Sequence, residues 1–342
     1  MQNCLKNSRF TMLIRRNYVV TGKRTDGLMR HLRDDNGIDI SGSRQKKELL
    51  SIGYYHGYKG YRFIKVSTNP IGYNDFDEVL AVYNFDMNLK TLLYPNIMAV
   101  ETALKNYTLD TLVSFGNLDL ETAFNNFLND YRSHSSSDTA YKTKLKSYLS
   151  LRSKIDGAIS HYYKKHDAIK HFLHNGQPIP LWAIFEVLDM GQFGLFLQCL
   201  NEPIRRQNCS NLNLTYRGLD PDGRLVEVII FLLKDLRNAV AHNGVIFDCR
   251  FKGNTNAKPL IKNYVSFETS INNIDFSDLV DYFILIVLLL KKIGKTKTDL
   301  KRLIRNFKDE TETLRNQIPV NIFNAIIGTD HNVKLTALEA YV

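Results

Sequence analysis

Residues 225–242 read Leu-Val-Glu-Val-Ile-Ile-Phe-Leu-Leu-Lys-Asp-Leu-Arg-Asn-Ala-Val-Ala-His, and this stretch decides the fold. Val226 to Leu233 is almost wholly apolar, so a helix built on it is buried for most of its length. Arg237, Asn238 and His242 come only in the last turn and a half. Gly244 follows two residues after the histidine and is a natural helix stop. Arginine suits a phosphate, and histidine moves a proton near neutral pH. Together they predict a metal-free site acting on RNA. Asn238 and His242 lie four apart on one helical face, with Arg237 about 140° from His242.

Working outward, the chain is mainly α. From Asp75, Val79, Val82, Leu89, Leu93, Ile97, Val100 and Leu104 recur at helical intervals, and Pro95 is expected to kink or split that helix. Shorter helical patterns cover Thr25–Leu32 and Ser43–Ile52, with Ser43 as the N-cap of the second. Others cover 140–174, 181–200, 277–292 and 296–312. Residues 201–224 read as mostly loop, 245–275 as irregular or weakly strand-like, and the tail as less regular. No strand series and no internal repeat appears.

The net charge of +10 sits at one end. Residues 1–65 hold 14 Lys and Arg against 5 Asp and Glu, whereas residues 66–342 hold 31 against 30. Basic groups there alternate with aromatic rings, a pattern suited to phosphates and unpaired bases. The expected RNA contacts are Arg15, Arg16, Lys23, Arg24, Arg44, Lys46, Lys47, Tyr54, Tyr55, Tyr58, Lys59 and Arg62. Residues 1–72 read as this basic aromatic region and 73–342 as the helical domain. The four cysteines lack CxxC pairing and read as free thiols in a reducing compartment. The N-terminus lacks a signal-peptide core, and the longest apolar stretch, Tyr282 to Leu290, is too short to span a bilayer. A cytoplasmic protein without membrane contact is expected.

Other motifs are weaker. Arg24 and His31 form a looser pair that spans Gly27 on no apolar helix, and read as a decoy. His161, His166, His171 and His174 lack acidic partners and mostly precess around a helix, against a metal site. Trp182 and Phe185 read most simply as core, and Glu186 as a partner for a buried basic group. No Walker loop, GxSxG elbow or HExxH motif is present.

Four blocks in order carry a family resemblance: Leu50–Tyr58 (Leu-Ser-Ile-Gly-Tyr-Tyr-His-Gly-Tyr); Tyr83-Asn84-Phe85-Asp86 with Leu89 and Glu101; Pro180-Leu181-Trp182 with Glu186 and Gly191; and Arg237-Asn238 with Ala241-His242. The chain resembles the Abi family of bacterial abortive-infection proteins, the AbiD/AbiF type within the HEPN group, over most of its length. The resemblance implies a HEPN-like helical bundle with a basic N-terminal helical extension and irregular insertions. It also implies phage defence by growth arrest, and an RNase site at Arg237, Asn238 and His242, with a homodimer formed through the motif helix. After its histidine the family often continues with a second histidine, an arginine and an aromatic residue. Here Asn243 to Arg250 follows instead, with Phe247 and Arg250 as partial substitutes. The leading expectation is a metal-independent endoribonuclease toxin without a cofactor. The alternative is a non-catalytic RNA-binding protein that holds a small structured noncoding RNA.

Overall fold

The apolar periodicities fold as helices throughout the computed structural model, which describes residues 22–116, 119–216, 218–253 and 256–342. Arg15 and Arg16 lie outside the described residues. The N-terminal part holds α1 (Thr25–Arg30) and α2 (Gly42–Ile52), each continuing into π-helical turns at His31–Asp35 and Gly53–Lys59. Ser41, not Ser43, precedes α2 as its N-cap, because the glycine between them already joins the helix. Then come α3 (Phe76–Val113), α4 (Leu120–Asn126), α5 (Thr139–Tyr162), α6 (Asp167–His174), α7 (Leu181–Val187), α8 (Met190–Cys199) and α9 (Glu202–Asn211). The motif helix is α10 (Leu225–Ala241), followed by α11 (Pro259–Thr269), α12 (Leu279–Lys292), α13 (Lys297–Arg315), α14 (Val320–Ile327) and α15 (His331–Tyr341). Among the described residues there are three isolated β-bridges and no strand. None of their helices is long and apolar enough to cross a membrane.

The centre is built from α3, α10 and α12. Leu279 through Leu290 of α12 is buried without interruption, so this helix is surrounded on every side. α3 packs against α9, α10, α12 and α13, and α10 also lies along α8. At that crossing a Cβ on Gly194 would come within about 3.0 Å of the Phe231 ring, so the helices approach closely only because position 194 is glycine. Asp75 starts α3 by accepting a hydrogen bond from the Glu78 amide.

Several sequence expectations are corrected. Pro95 does not split α3, which runs 38 residues through it. A proline inside a helix costs about 3 kcal/mol, and here Leu93, Ile97, Val100 and Leu104 offset that cost by burial on the neighbouring helices. The segment 201–224 is half helix, because Pro203 lies in the first turn of α9, where proline starts helices instead of breaking them. The irregular region after α10 contains α11, which also opens on a proline. The tail is α14 and α15, whose buried Ile322, Phe323, Ile326, Leu335 and Leu338 repeat at helical spacing in stretches too short to stand out.

A buried carboxylate joins α5, α9 and α10. Asp130 receives Lys144 at 2.8 Å, Arg205 at 3.0 Å and Arg224 at 3.0 Å. Burial pushes its carboxyl up, but Lys144 and Arg205 more than compensate and hold it below the usual carboxylate range. The stability it contributes is therefore complete above the unfolded value, about 3.9, and is lost as pH falls through the depressed folded value. Asp130→Asn is expected to be less stable than wild type at neutral pH, with the gap closing below about pH 4. Urea midpoints measured across a pH series check this, and a gap that does not depend on pH would contradict it.

Candidate functional site

The end of α10 is shaped by its sequence. His242 is the C-cap, and the residue after it, Asn243, adopts the left-handed conformation at φ 54°. The Gly244 amide donates to the Ala239 carbonyl at 2.7 Å and the Asn243 amide to Val240 at 3.3 Å. This pair of bonds is a Schellman motif with asparagine in place of the usual glycine. The helix stop expected at Gly244 thus lies one residue earlier. Gly244 is needed for a different reason: a Cβ there would press to 3.3 Å on the Ala239 backbone.

A buried network fixes this cap from α3. Asn243 Oδ1 accepts from Lys90 Nζ at 2.9 Å, and Lys90 is ion-paired with Asp86 at 2.7 Å. Asp86 is fully buried. It accepts from the backbone amides of Ile246 and Phe247 at 2.8 and 2.7 Å and from the Tyr61 hydroxyl at 2.7 Å. Burial and the neighbouring Asp86 push the Tyr61 phenol well up, so it stays a donor. The His242 backbone is thereby held, while its ring is exposed with no hydrogen bond among the described residues.

Arg237 is positioned from the same helix, α3. Its Nε donates to Glu101 Oε2 at 3.2 Å. The other Glu101 oxygen is 3.1 Å from Lys105 Nζ, which also donates to the Leu188 carbonyl. With Arg237 held through Nε, one of its terminal nitrogens lies 3.5 Å from Asn238 Oδ1. Arg237, Glu101 and Lys105 line a cleft of about 490 Å³ whose other wall carries Trp182 and Glu186 of α7. Of the three expected catalytic residues, Arg237 and Asn238 are in contact, whereas His242 is not among the residues that line the cleft. Arg237 faces this cleft, Asn238 is exposed beside it, and His242 lies around the helix end.

Three of the four sequence blocks supply lining residues of this cleft: Glu101, Trp182 and Glu186, and Arg237. Trp182 is not core. It is 47% exposed, although Phe185 beside it is buried as expected. Glu186 is exposed and pairs with no buried base among the described residues. The positioning roles of Asp86, Lys90 and Glu101 escaped sequence reading. Their signal was a carboxylate, a lysine and a second carboxylate placed on the apolar face of α3, where leucine or valine is the ordinary occupant.

In the basic N-terminal part, Lys23, Arg24, Lys47 and Arg62 are exposed. Arg44 is committed to Glu48 and Asp77, and Lys46 to Asp26. Tyr55 is exposed, with Lys59 Nζ 4.5 Å from its ring centre, and Tyr54 is half-buried. Tyr58, expected to meet RNA, is only 3% exposed and belongs to the core, because the π-helical turn rotates it inward. Arg250 does not extend a phosphate clamp. Asp248 and the carbonyls of Gly60 and Phe63 occupy its guanidinium, so it fastens the N-terminal part to the segment after α10. His31 of the decoy pair bonds Asp35. Among the four clustered histidines, His161 meets Lys165 and His174 meets the Tyr163 hydroxyl. The thiols of Cys199 and Cys209 are pushed up to about 12 by burial, and neither is a nucleophile in that state.

No curated protein and no solved structure matches the chain. The family described as Abi-like protein matches residues 47–248, more than half of the sequence, from α2 through the loop that Asp86 anchors. That span includes Glu101, Trp182, Glu186, Arg237 and His242, so the chain belongs to the Abi-like protein family.

Proposed function

We propose that this protein is a metal-independent endoribonuclease of the HEPN type, acting in the cytoplasm at the end of α10. Membership of the Abi-like family points to phage defence by abortive infection, and cleavage of RNA is a direct route to growth arrest. The observation that carries the reading is the pairing of a pre-oriented arginine with an exposed histidine on one rigidly capped helix end. Glu101 holds Arg237 through Nε, and the Asp86–Lys90–Asn243 network holds the turn after His242.

In the proposed reaction the 2′-hydroxyl of a ribose attacks the adjacent phosphorus. The P–O2′ bond forms as the P–O5′ bond breaks, leaving a 2′,3′-cyclic phosphate and a free 5′-hydroxyl. His242 acts as general acid or base, removing the 2′-hydroxyl proton or delivering one to O5′. Arg237 stabilises the charge that grows on the pentacoordinate phosphate, a role that depends on its orientation before substrate arrives. Asn238, next to Arg237 and one turn before His242, holds a phosphate oxygen or the imidazole. A homodimer joined at α10 would supply a second His242, so that one ring serves as base and the other as acid. Exposed Lys23, Arg24, Lys47, Arg62 and Tyr55 would guide the strand by charge and stacking.

The test is incubation of the purified protein with RNA in EDTA. Fragments ending in 2′,3′-cyclic phosphate are the expected products. Cleavage that requires an added divalent ion would overturn the metal-independent mechanism. RNA retained with intact ends would favour the second reading, a non-catalytic holder of a small structured RNA. One observation supports that second reading: Arg237 lines the cleft and is held by Glu101, whereas His242 is not among the residues that line it.

A further inference from the structure

The cleft beside Arg237 is lined by three carboxylates, Glu101, Glu186 and Asp189, of which only Glu186 has no partner among the described residues, which is unexpected beside a phosphate. Lys105 and Arg237 are both engaged with Glu101. Asp189 is the N-cap of α8 and accepts from the Gln192 amide. Glu186 has no ion pair or hydrogen bond among the described residues, yet it lines the cleft and is exposed. A polyanion running along this floor would meet net repulsion. A nucleobase turned into it would not.

We propose that this cleft is a slot for one unpaired guanine of the RNA strand, stacked on Trp182 and read at its edge by Glu186. The inference rests on the RNA reading of the α10 end and names the base next to the phosphate that Arg237 holds. Trp182 and Glu186 are four residues apart on α7, so they project from the same face of that short helix. Phe172 of α6 packs edge-on against the indole, with ring centres 6.1 Å apart and planes at 75°, which fixes the ring while leaving it 47% exposed. Unpaired bases are commonly recognised by such a platform together with hydrogen bonds to their Watson–Crick edge. An ionised carboxylate only accepts hydrogen bonds. Guanine is the one common base that presents two adjacent donors on that edge, N1–H and the N2 amino group, matching the two oxygens of Glu186. Adenine and cytosine offer an amino group beside an acceptor, and uracil a single N–H between two acceptors. The cleft, at about 490 Å³, is large enough for a purine nucleotide.

Trp182 is the only tryptophan in the chain, so its fluorescence reports this cleft alone when excited selectively over the 18 tyrosines. The experiment titrates the protein with oligouridylates carrying one central guanosine, adenosine or cytidine, with a duplex containing the same guanosine, and with free guanosine monophosphate. The single-stranded guanosine oligomer is expected to quench Trp182 at concentrations about tenfold or more below those needed by the others. Glu186→Gln is expected to erase that preference. Trp182→Ala, followed by retention of labelled RNA on a filter, is expected to weaken binding of the same oligomer by about tenfold to a hundredfold, with Trp182→Phe recovering part of it. Equal quenching by every base overturns the guanine assignment. Retention of RNA without quenching overturns the slot but leaves the RNA reading intact, and quenching by guanosine monophosphate alone assigns the cleft to a free nucleotide instead. Failure of any RNA to be retained overturns both readings together.

Discussion

Replacement of His242 by alanine is expected to slow RNA cleavage by about 10²–10⁴-fold, the usual contribution of a general acid or base, while leaving the unfolding midpoint where it is. The two halves of this prediction come from separate observations. The ring is exposed and makes no hydrogen bond among the described residues. The helix is closed by backbone bonds from Asn243 and Gly244, and the cap is held by Lys90 acting on Asn243, not on His242. Truncating an exposed side chain away from such features typically changes stability by about 0.5 kcal/mol or less. A loss of cleavage at constant stability therefore reports chemistry. Single-turnover cleavage of end-labelled RNA, beside thermal unfolding of the same preparations, separates the two quantities. Undiminished cleavage removes His242 from the reaction. A collapse of the unfolding midpoint shows instead that the residue is structural.

The helical architecture was readable because most of its signal is periodic and two-sided. The motif helix ends within a residue of its expected limits, α3 begins within a residue of Asp75, where the helical pattern is expected to start, and α12 occupies the longest apolar run. The misreadings of side-chain placement share one physical origin, since a residue's type does not say which neighbour it meets. Trp182 has the composition of core, but α7 turns it outward between buried Leu181 and Ala183. Tyr58 has the composition of a stacking ring, but a π-helical turn directs it inward. Arg250 lay close enough to His242 in sequence to suggest a phosphate clamp, yet Asp248 two residues before it captures the guanidinium. The site itself was half legible. Its own residues lie together on one helix, whereas Asp86, Lys90 and Glu101 act across more than 130 residues of sequence, and only folding brings them to α10.

Removing Asp86 is expected to be among the most destabilising single changes outside the apolar core. Asp86→Ala would leave the Lys90 ammonium buried without its counter-charge, and would strip the Ile246 and Phe247 amides and the Tyr61 hydroxyl of their acceptor. Breaking a buried ion pair from one side costs about 3–5 kcal/mol, and each further orphaned donor adds about 1–3 kcal/mol where water cannot reach it. Relaxation of the 243–247 turn toward solvent limits the total, so a loss of about 3–5 kcal/mol is the expected net result. Urea denaturation measures it as a lower midpoint at unchanged slope. Asp86→Asn keeps the side-chain volume and one acceptor for the two amides but loses the charge, and should fall between alanine and wild type. Adding Lys90→Met to Asp86→Asn removes the stranded ammonium, and should recover part of the loss if the buried charge is what destabilises. A wild-type midpoint for Asp86→Ala would mean that the network does not hold the turn. The functional consequence follows from the same bonds. With Asp86 gone the segment after His242 loses its anchors, so cleavage should fall further than the fraction of unfolded molecules explains. His242→Ala disables the ring in a fixed frame, and Asp86→Ala keeps the ring and releases the frame. Comparing cleavage per folded molecule in the two variants tells whether the α10 end works as a rigid pre-oriented site.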